Sequence, residues 1–362
     1  MIWLLRIFAF FLLLITALPL LPTGKWYVRW WDFPRLQIAV LLLVLAFVVL
    51  GLALRGGFHR EYSIWLVLLM TGVVWQGSHI IQFSKVWPTE VNTISDDQTG
   101  IKIVVSNLDY ENVNPDSVAN ELAAEEADIL LLVEYNDAWQ PRLSELHDEY
   151  PYRHDEVRGE GLGIAIWSKL PFISAETRHL ISDRRASLWV QVDLGSGGPV
   201  NFVGVHPTPP GLLDSTGDTR RDSRVRDAEL IMIAKEIAKR NDEAWIVAGD
   251  FNDVAWSHTT RLFKRISGMK DPRIGRSFMG TYIAQYPIAR CPIDHVFLSE
   301  GFSIANLDRK LITGSDHFAM LATVALSKPH VGVEPEPKDR DIEDGKEIIK
   351  EGKEDAKKRD VR

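Results

Sequence analysis

Three long apolar runs open the chain. Residues 2–21, 36–54 and 62–83 are each close to the ~20 residues that a helix needs to cross a bilayer, and charges inside them are few. Trp26, Tyr27, Trp30 and Trp31 fall in the first connection, where amphipathic rings anchor at a membrane interface. The first run alone would suit a signal peptide, but no small-x-small cleavage site is clear near Pro22 and two further runs follow. The pattern therefore predicts three transmembrane helices within residues 1–87. Gln76, Ser78, His79 and Gln82 close the third run; they fit a helix that faces its neighbours or reaches the interface.

Beyond residue 87 the pattern changes to polar stretches and short apolar runs. Residues 88–100 carry Pro88, Asn92, Asp96, Asp97 and Gly100 and read as a linker. Strands are predicted at 101–108, 128–134, 163–167, 188–194, 200–206 and 244–248, with the last near 293–298 and 319–325. Helices are predicted over 115–126, over 218–239 and from Ser257, and a proline-rich loop spans 207–217. Strands outnumber helices, and helices separate some of them, which implies two packed sheets with helices outside. The domain is expected to fill residues 101–327. Residues 328–362 are charged and short of apolar side chains, so they are expected to be disordered with transient helix.

Composition narrows the chemistry only slightly. A formal net charge of -8 over 362 residues is unlike a strongly basic nucleic-acid binder. An enzyme that grips phosphate through a metal can still be acidic. The single cysteine, Cys291, cannot form an intrachain disulfide and reads as a small buried or loop residue.

Acidic, amide and histidine residues recur where predicted strands end. Asn107 and Asp109 end one run, Glu134 ends the next and His206 another. Asp250 and Asn252 sit in Gly-Asp-Phe-Asn, Asp294 in Pro-Ile-Asp-His-Val-Phe, and Asp316 and His317 in Gly-Ser-Asp-His-Phe. If these ends converge, they form a hard-cation site beside two imidazoles, a combination suited to phosphate-ester hydrolysis. Arg220, Arg221, Arg224 and Arg226 cluster among acidic neighbours and read as solvated intrahelical pairs, with a phosphate-gripping patch as the other choice. Arg184 and Arg185 pose the same choice. Asp253 reads as a loop residue and His295 as structural, since strand alternation turns it away from Asp294. His154 and His179 read as ordinary surface residues.

The motifs 249–257, 292–297, 315–318 and 161–171 give residues 100–327 a resemblance to the endonuclease/exonuclease/phosphatase superfamily, the DNase I-like group. Three N-terminal spans before the domain look like a membrane-attached bacterial subgroup. The resemblance implies a four-layer α/β sandwich with its site at one edge, and divalent-metal hydrolysis of a phosphate ester using magnesium, with manganese as a substitute. It makes Glu134 a metal ligand and Asn107 a residue that binds metal or positions phosphate. Asp316 lies at or near the metal, as does Asp109 in the repair-nuclease branch. Asp250 acts in proton transfer or orients water, and Asn252 holds a phosphate oxygen. His317 bonds the scissile phosphate and promotes water attack, oriented by Asp294. His206 matches a second active-site histidine that donates to a phosphate oxygen or protonates the leaving group.

The expected function is a membrane-anchored, metal-dependent phosphodiesterase, with a nuclease preferred. Hydrolysis of a phospholipid or small phosphate ester is an alternative, as is a catalytically idle scaffold, although retention of nearly every motif argues against the last. The expected partners are the lipid bilayer and a phosphate ester, nucleic acid included; no sequence feature points to a protein partner. Lys25, Arg29 and Arg35 nearly balance Arg6, Arg55 and Arg60, so basic bias does not settle orientation. The very short basic N-terminal region resembles a signal anchor, which places the domain outside the cytoplasm.

Overall fold

The computed structural model describes residues 2–94, 100–112, 114–211, 222–326, 337–338 and 340–358. The three apolar runs are helices α1 (Ile2–Ala17), α3 (Arg35–Gly56) and α4 (Arg60–Ile80), with a short α2 (Trp26–Arg29) in the first connection. Single 3-10 turns extend α1 and α4, giving three candidate spans, Trp3–Leu20, Arg35–Gly56 and Arg60–Phe83. Only 22–33% of each span is buried, so most of the apolar surface faces outward, as contact with lipid requires. The polar end of α4 does face its neighbours. Gln76 accepts from Arg35 Nη1 (2.9 Å) and donates to Thr16 Oγ1 (3.2 Å), while Arg35 Nη2 reaches Asp32 Oδ1 at 2.6 Å. Polar groups inside such a bundle persist because each finds a partner.

The remaining chain runs β1 (Asn92–Thr93), β2 (Ile101–Asn107), α5 (Val118–Ala123), β3 (Ile129–Val133), α6 (Trp139–Arg142), β4 (Tyr152–Glu156), β5 (Ile164–Ser168), β6 (Phe172–Arg178), β7 (Ser187–Asp193) and β8 (Pro199–Val205). It continues through α7 (Arg224–Lys239), β9 (Trp245–Asp250), α8 (His258–Ser267), β10 (Asp294–Leu298), β11 (Phe302–Leu311), β12 (Phe318–Leu326) and α9 (Asp341–Lys358). Seven strands pair in the order β1-β11-β12-β2-β3-β5-β4, and five in the order β10-β9-β8-β7-β6. The sheets pack face to face through Ile103, Val105, Leu131, Phe202, Ile246 and Met320. The outer face of the first sheet, including Val104 and Leu130, meets Val118 and Leu122 of α5 and Trp139 of α6. The outer face of the second, including Val203 and Val247, meets Leu230, Ile233 and Phe263 of α7 and α8. This is the expected four-layer α/β sandwich. Central strands bury both faces, which is why they read as continuous apolar runs.

Strands β4 and β6 escape the sequence pattern because they are polar edge strands: Tyr-Arg-His-Asp-Glu has no residue below intermediate exposure, and β6 is mostly exposed. The expected linker is also more than a tether. Asn92 and Thr93 pair in parallel with Ser303 and Ile304, and Glu90 holds Lys264 Nζ at 2.6 Å. Residues 95–99 lie outside the described residues.

The expectation of a disordered tail is corrected. Helix α9 lies along α7 and α8, with Ile348 and Ile349 against the core beneath them. Arg265 grips Asp341 through Nε and Nη2 at 2.8 and 2.9 Å. Few apolar residues suffice because the contact uses small ones: a Cβ on Gly352 would lie 2.3 Å from Ala228 Cβ and 2.6 Å from Arg224 O. Residues 327–336, 339 and 359–362 of the tail lie outside the described residues.

Two predictions follow from this packing. Gly352→Leu forces α9 off α7 and destabilises the protein by about 1–3 kcal/mol, read as an earlier midpoint in chemical denaturation; an unchanged midpoint would mean that α9 does not dock. Burial pushes the Glu229 carboxyl on α7 from 4.5 up to about 7, against the attraction of Arg185. The folded state thus holds this proton more tightly than the unfolded chain. The stability that this preference contributes is full below pH 4.5 and is lost as pH rises through 7, by at most about 1.4 kcal/mol per pH unit. Glu229→Gln flattens the pH dependence of stability over that window.

Candidate active site

The sheet registers carry the predicted residues to one edge. Asn107 ends β2 opposite Val133 of β3, so Glu134 follows immediately beside it. Val205 of β8 pairs with Gly249 of β9, which sets His206 next to Asp250. Asp294 opens β10 directly opposite Asp250. His317 precedes β12 of the first sheet, and its ring reaches across to the second. Gly249 has φ 141° and its Cβ position lies 2.0 Å from Val205 O; no other residue fits there. Asp109, Glu134 and Asn252 hold positive φ of 55°, 65° and 51°. Three non-glycine residues in this conformation at one site mark backbone held by its surroundings.

Asp250 Oδ2 is the meeting point. Asn107 Nδ2 lies 3.3 Å from it, His317 Nε2 3.8 Å and His206 Nε2 3.9 Å. Asp250 Oδ1 accepts from the Asn252 backbone N–H at 2.8 Å. Asn107 Nδ2 also reaches Glu134 Oε1 at 3.3 Å, and Glu134 Oε2 accepts from the Tyr110 N–H at 3.0 Å. His317 Nδ1 pairs with Asp294 Oδ2 at 2.8 Å, the carboxylate–imidazole orientation expected from the motifs. Its backbone N–H donates to Ser315 Oγ, which donates in turn to Asn107 O. Asp316 Oδ1 stands 3.8 Å from His317 Nε2. Asn252 Nδ2 donates to Pro207 O at 3.0 Å, tying the loop after His206 to β9. Asp109 lines the rim, its carboxylate accepting from the Glu111 N–H at 2.9 Å.

The electrostatics are those of crowded carboxylates. Burial, then the charge of Asp294, raises the Asp250 carboxyl above its ordinary value, and burial raises Glu134 and Asp316 as well. Burial opposes charge on His317, but Asp294, Asp250 and Asp316 outweigh it and push the imidazole up to about 10. It is therefore a cation at neutral pH.

Asp250, Asp294 and His317 offer ligand atoms within 4.8 Å of one another. Asp294 and His317 already satisfy each other, so the carboxylates placed to meet a cation with their remaining lone pairs are Asp250 and Glu134, with Asp316 close by. This oxygen set fits a hard divalent cation such as magnesium. Burial is what chiefly raises these carboxyls, and a bound cation would favour their charged forms. Asn107 turns its amide nitrogen toward both carboxylates while its oxygen accepts from the Asp109 N–H at 3.0 Å, an arrangement that orients the oxygen ligands.

Several contributors have places that the sequence left open or did not suggest. Arg185 Nη1 lies against the His206 ring, 2.7 Å from Nδ1 and 2.9 Å from Nε2, and lines the cleft. Tyr282 sets its ring 4.8 Å from that of His317. The expectation of solvated arginines is corrected for Arg226, which is buried and donates to Asn252 O at 2.6 Å and to Asp227. Asp253 lies in the loop after β9 as expected, but it is buried there: it accepts from Thr260 Oγ1 at 3.1 Å, and its carbonyl meets His295 Nε2 at 2.8 Å. These pairs brace the turn that carries Asn252. Arg224 pairs with Glu351 at 3.2 Å, while Arg220 and Arg221 lie outside the described residues. His154 and His179 stand apart from the site, and Cys291 is buried.

The site opens into a cleft of about 680 Å³ that contains both histidines, Glu134, Asp250, Asn252 and Asp316. Trp26, Trp30, Phe33, Pro34 and Gln37, from the connection between α1 and α3 and the start of α3, form another of its walls.

Comparison with known proteins agrees with this architecture. An endonuclease/exonuclease/phosphatase from Beutenbergia cavernae DSM 12333 is 19% identical, with a TM-score of 0.51, covering 64% of this chain and 73% of that one. Sphingomyelinase C from Streptomyces griseocarneus is 18% identical, with a TM-score of 0.47, over 62% of this chain and 99% of that one. Beta toxin from Staphylococcus aureus, in a structure with bound magnesium ions, is 16% identical, with a TM-score of 0.48, over 62% and 99%. No curated protein sequence matches the chain. The first of these structures carries the shared fold. The family model for the Endonuclease/Exonuclease/phosphatase family matches residues 104–317, the span that holds the carboxylate, amide and histidine residues of the site, and the chain belongs to that family.

Proposed function

We propose that this chain is a membrane-anchored, divalent-cation-dependent phosphodiesterase that uses water as its nucleophile. One observation carries the reading: the Asp294–His317 pair, His206, Asp250 and Glu134 converge from both sheets on a single cleft edge. A divalent cation on Glu134, near Asp250 and Asp316, would supply positive charge to a phosphate oxygen. With its Nδ1 held by Asp294, His317 presents Nε2 to the cleft as a charged donor to the phosphate. Asp250, with its affinity for protons raised, is the acceptor for the proton of the attacking water. His206, backed by Arg185, faces the same space and suits the leaving oxygen. The nuclease expected from the sequence stays within this reading as one substrate choice. The short basic N-terminal region supports an extracytoplasmic domain, and protease protection in oriented vesicles tests that placement.

The test is hydrolysis by the purified full-length protein of DNA, RNA, phospholipid and a soluble diester such as bis(p-nitrophenyl) phosphate, with magnesium or manganese. Chelation abolishes turnover and magnesium restores it. His317→Ala and Asp250→Asn each lower turnover by about 10²–10⁴. Failure of the wild type on every ester would sink the proposal. Asn107→Ala loosens Glu134 and raises the magnesium concentration for half-maximal activity about 10–100-fold, whereas a residue that only holds the fold would leave that midpoint in place.

A further inference from the structure

The cleft's outer wall comes from the membrane region and not from the family domain. Trp26, Trp30, Phe33, Pro34 and Gln37 precede or open α3, and all line the same cleft as His317 and Asp250. Gln37 is the third residue of a candidate span, and its Nε2 donates to Ile288 O at 2.6 Å. That bond fixes the loop around Ile288, also part of the cleft wall, at the level where α3 enters the bilayer. The loop leaves Ile288 86% and Tyr286 66% exposed, and Trp30 is 54% exposed. Large apolar side chains left in the open at the mouth of a polar site call for a partner, and the adjoining span supplies the candidate.

The attachment is close. Trp256 Nε1 donates to Asp32 O at 2.6 Å, Phe83 packs edge-on to Trp256, and Gly275 N–H donates to Gln82 O at 2.8 Å. The domain is thus held against the ends of α3 and α4, with its cleft beside the interfacial aromatic residues. The charges point the same way. Among the described residues lining the cleft, Arg185 is the one arginine or lysine, against Asp109, Glu111, Glu134, Glu160, Asp250 and Asp316. A nucleic-acid strand needs several cations along its backbone; a single phosphodiester with an apolar tail needs one anion site and an apolar approach.

We infer that the substrate is a phospholipid of the same membrane, whose acyl portion enters beside Trp30 and Ile288 while its phosphodiester reaches His317 and Asp250. This rests on the phosphodiesterase reading and on α1, α3 and α4 crossing the bilayer. In the step, the water oxygen bonds to phosphorus and one ester P–O bond breaks. A water proton ends on the departing alcohol, and a phosphomonoester remains; nothing is oxidised or reduced.

The experiment reconstitutes the full-length protein with magnesium in vesicles of phosphatidylethanolamine, phosphatidylglycerol or phosphatidylcholine. Phosphomonoester or diglyceride release is followed by mass spectrometry, beside soluble bis(p-nitrophenyl) phosphate and single-stranded DNA. Cleavage of at least one vesicle lipid is expected. The ratio of lipid to soluble-diester hydrolysis should fall about tenfold in both Trp30→Ser and Ile288→Ser, two exposed positions where folding is spared. Hydrolysis of the soluble diester or DNA with none of the lipids would overturn the inference and leave the phosphodiesterase reading intact. Lipid cleavage with the ratio unmoved in both variants would overturn the entry route. No hydrolysis of any ester would remove both readings together.

Discussion

One buried carboxylate oxygen, Asp250 Oδ2, sets the geometry of the whole site. Asn107 approaches it from the first sheet, His206 from β8 and His317 from the turn before β12. No single segment could deliver these groups, so the two sheets must pack in one register for the site to exist. The close approach of β8 to β9 needs a glycine at 249, whose Cβ would collide with Val205 O. The Asp294–Asp250 pairing in the β9–β10 ladder then fixes which carboxylate holds His317. Fold stability and site geometry are therefore the same set of contacts seen from two sides.

That arrangement concentrates negative charge and buries it, which is costly unless charge is offset. Within the protein, His317 carries part of the compensation as an imidazolium and Asn107 shares its amide between two carboxylates. The remainder is what a divalent cation would neutralise. Behind the site, Arg226, Asp227, Asp253 and His295 form a second buried polar layer that holds the Asn252 turn. The end that carries the apolar helices is built on similar terms: Asp32 binds Arg35 through its side chain and Trp256 through its carbonyl. One short connection thereby links the helix bundle to the loop that follows Asp250.

Much of this was legible in the sequence. Long apolar runs pointed to the three helices, each long and apolar enough to cross a bilayer. Apolar runs ending in Asn107, Glu134, His206 and Asp250 gave the central strands, because strands buried on both faces cannot alternate. The motifs pointed to the family and to residues that the fold gathers at one edge. Strands β4 and β6 were missed because edge strands expose polar side chains and so lack the apolar run that marks a buried strand. Helix α9 was missed because glycine and alanine at its contact permit close packing without a visible apolar stripe. Arg226 looked solvated because charge composition does not reveal a partner held by tertiary packing.

The sequence by itself determined the central strands, the three long apolar helices and the inventory of oxygen and imidazole groups, since these follow from local periodicity and side-chain chemistry. Only the tertiary structure decided which of those groups meet, that Arg185 stands behind His206, and that Trp30 and Phe33 wall the cleft. Those facts depend on contacts between residues well separated along the chain, 21 positions for Arg185 and His206 and 143 for Asn107 and Asp250, and no local pattern in a chain encodes the distance between two such side chains.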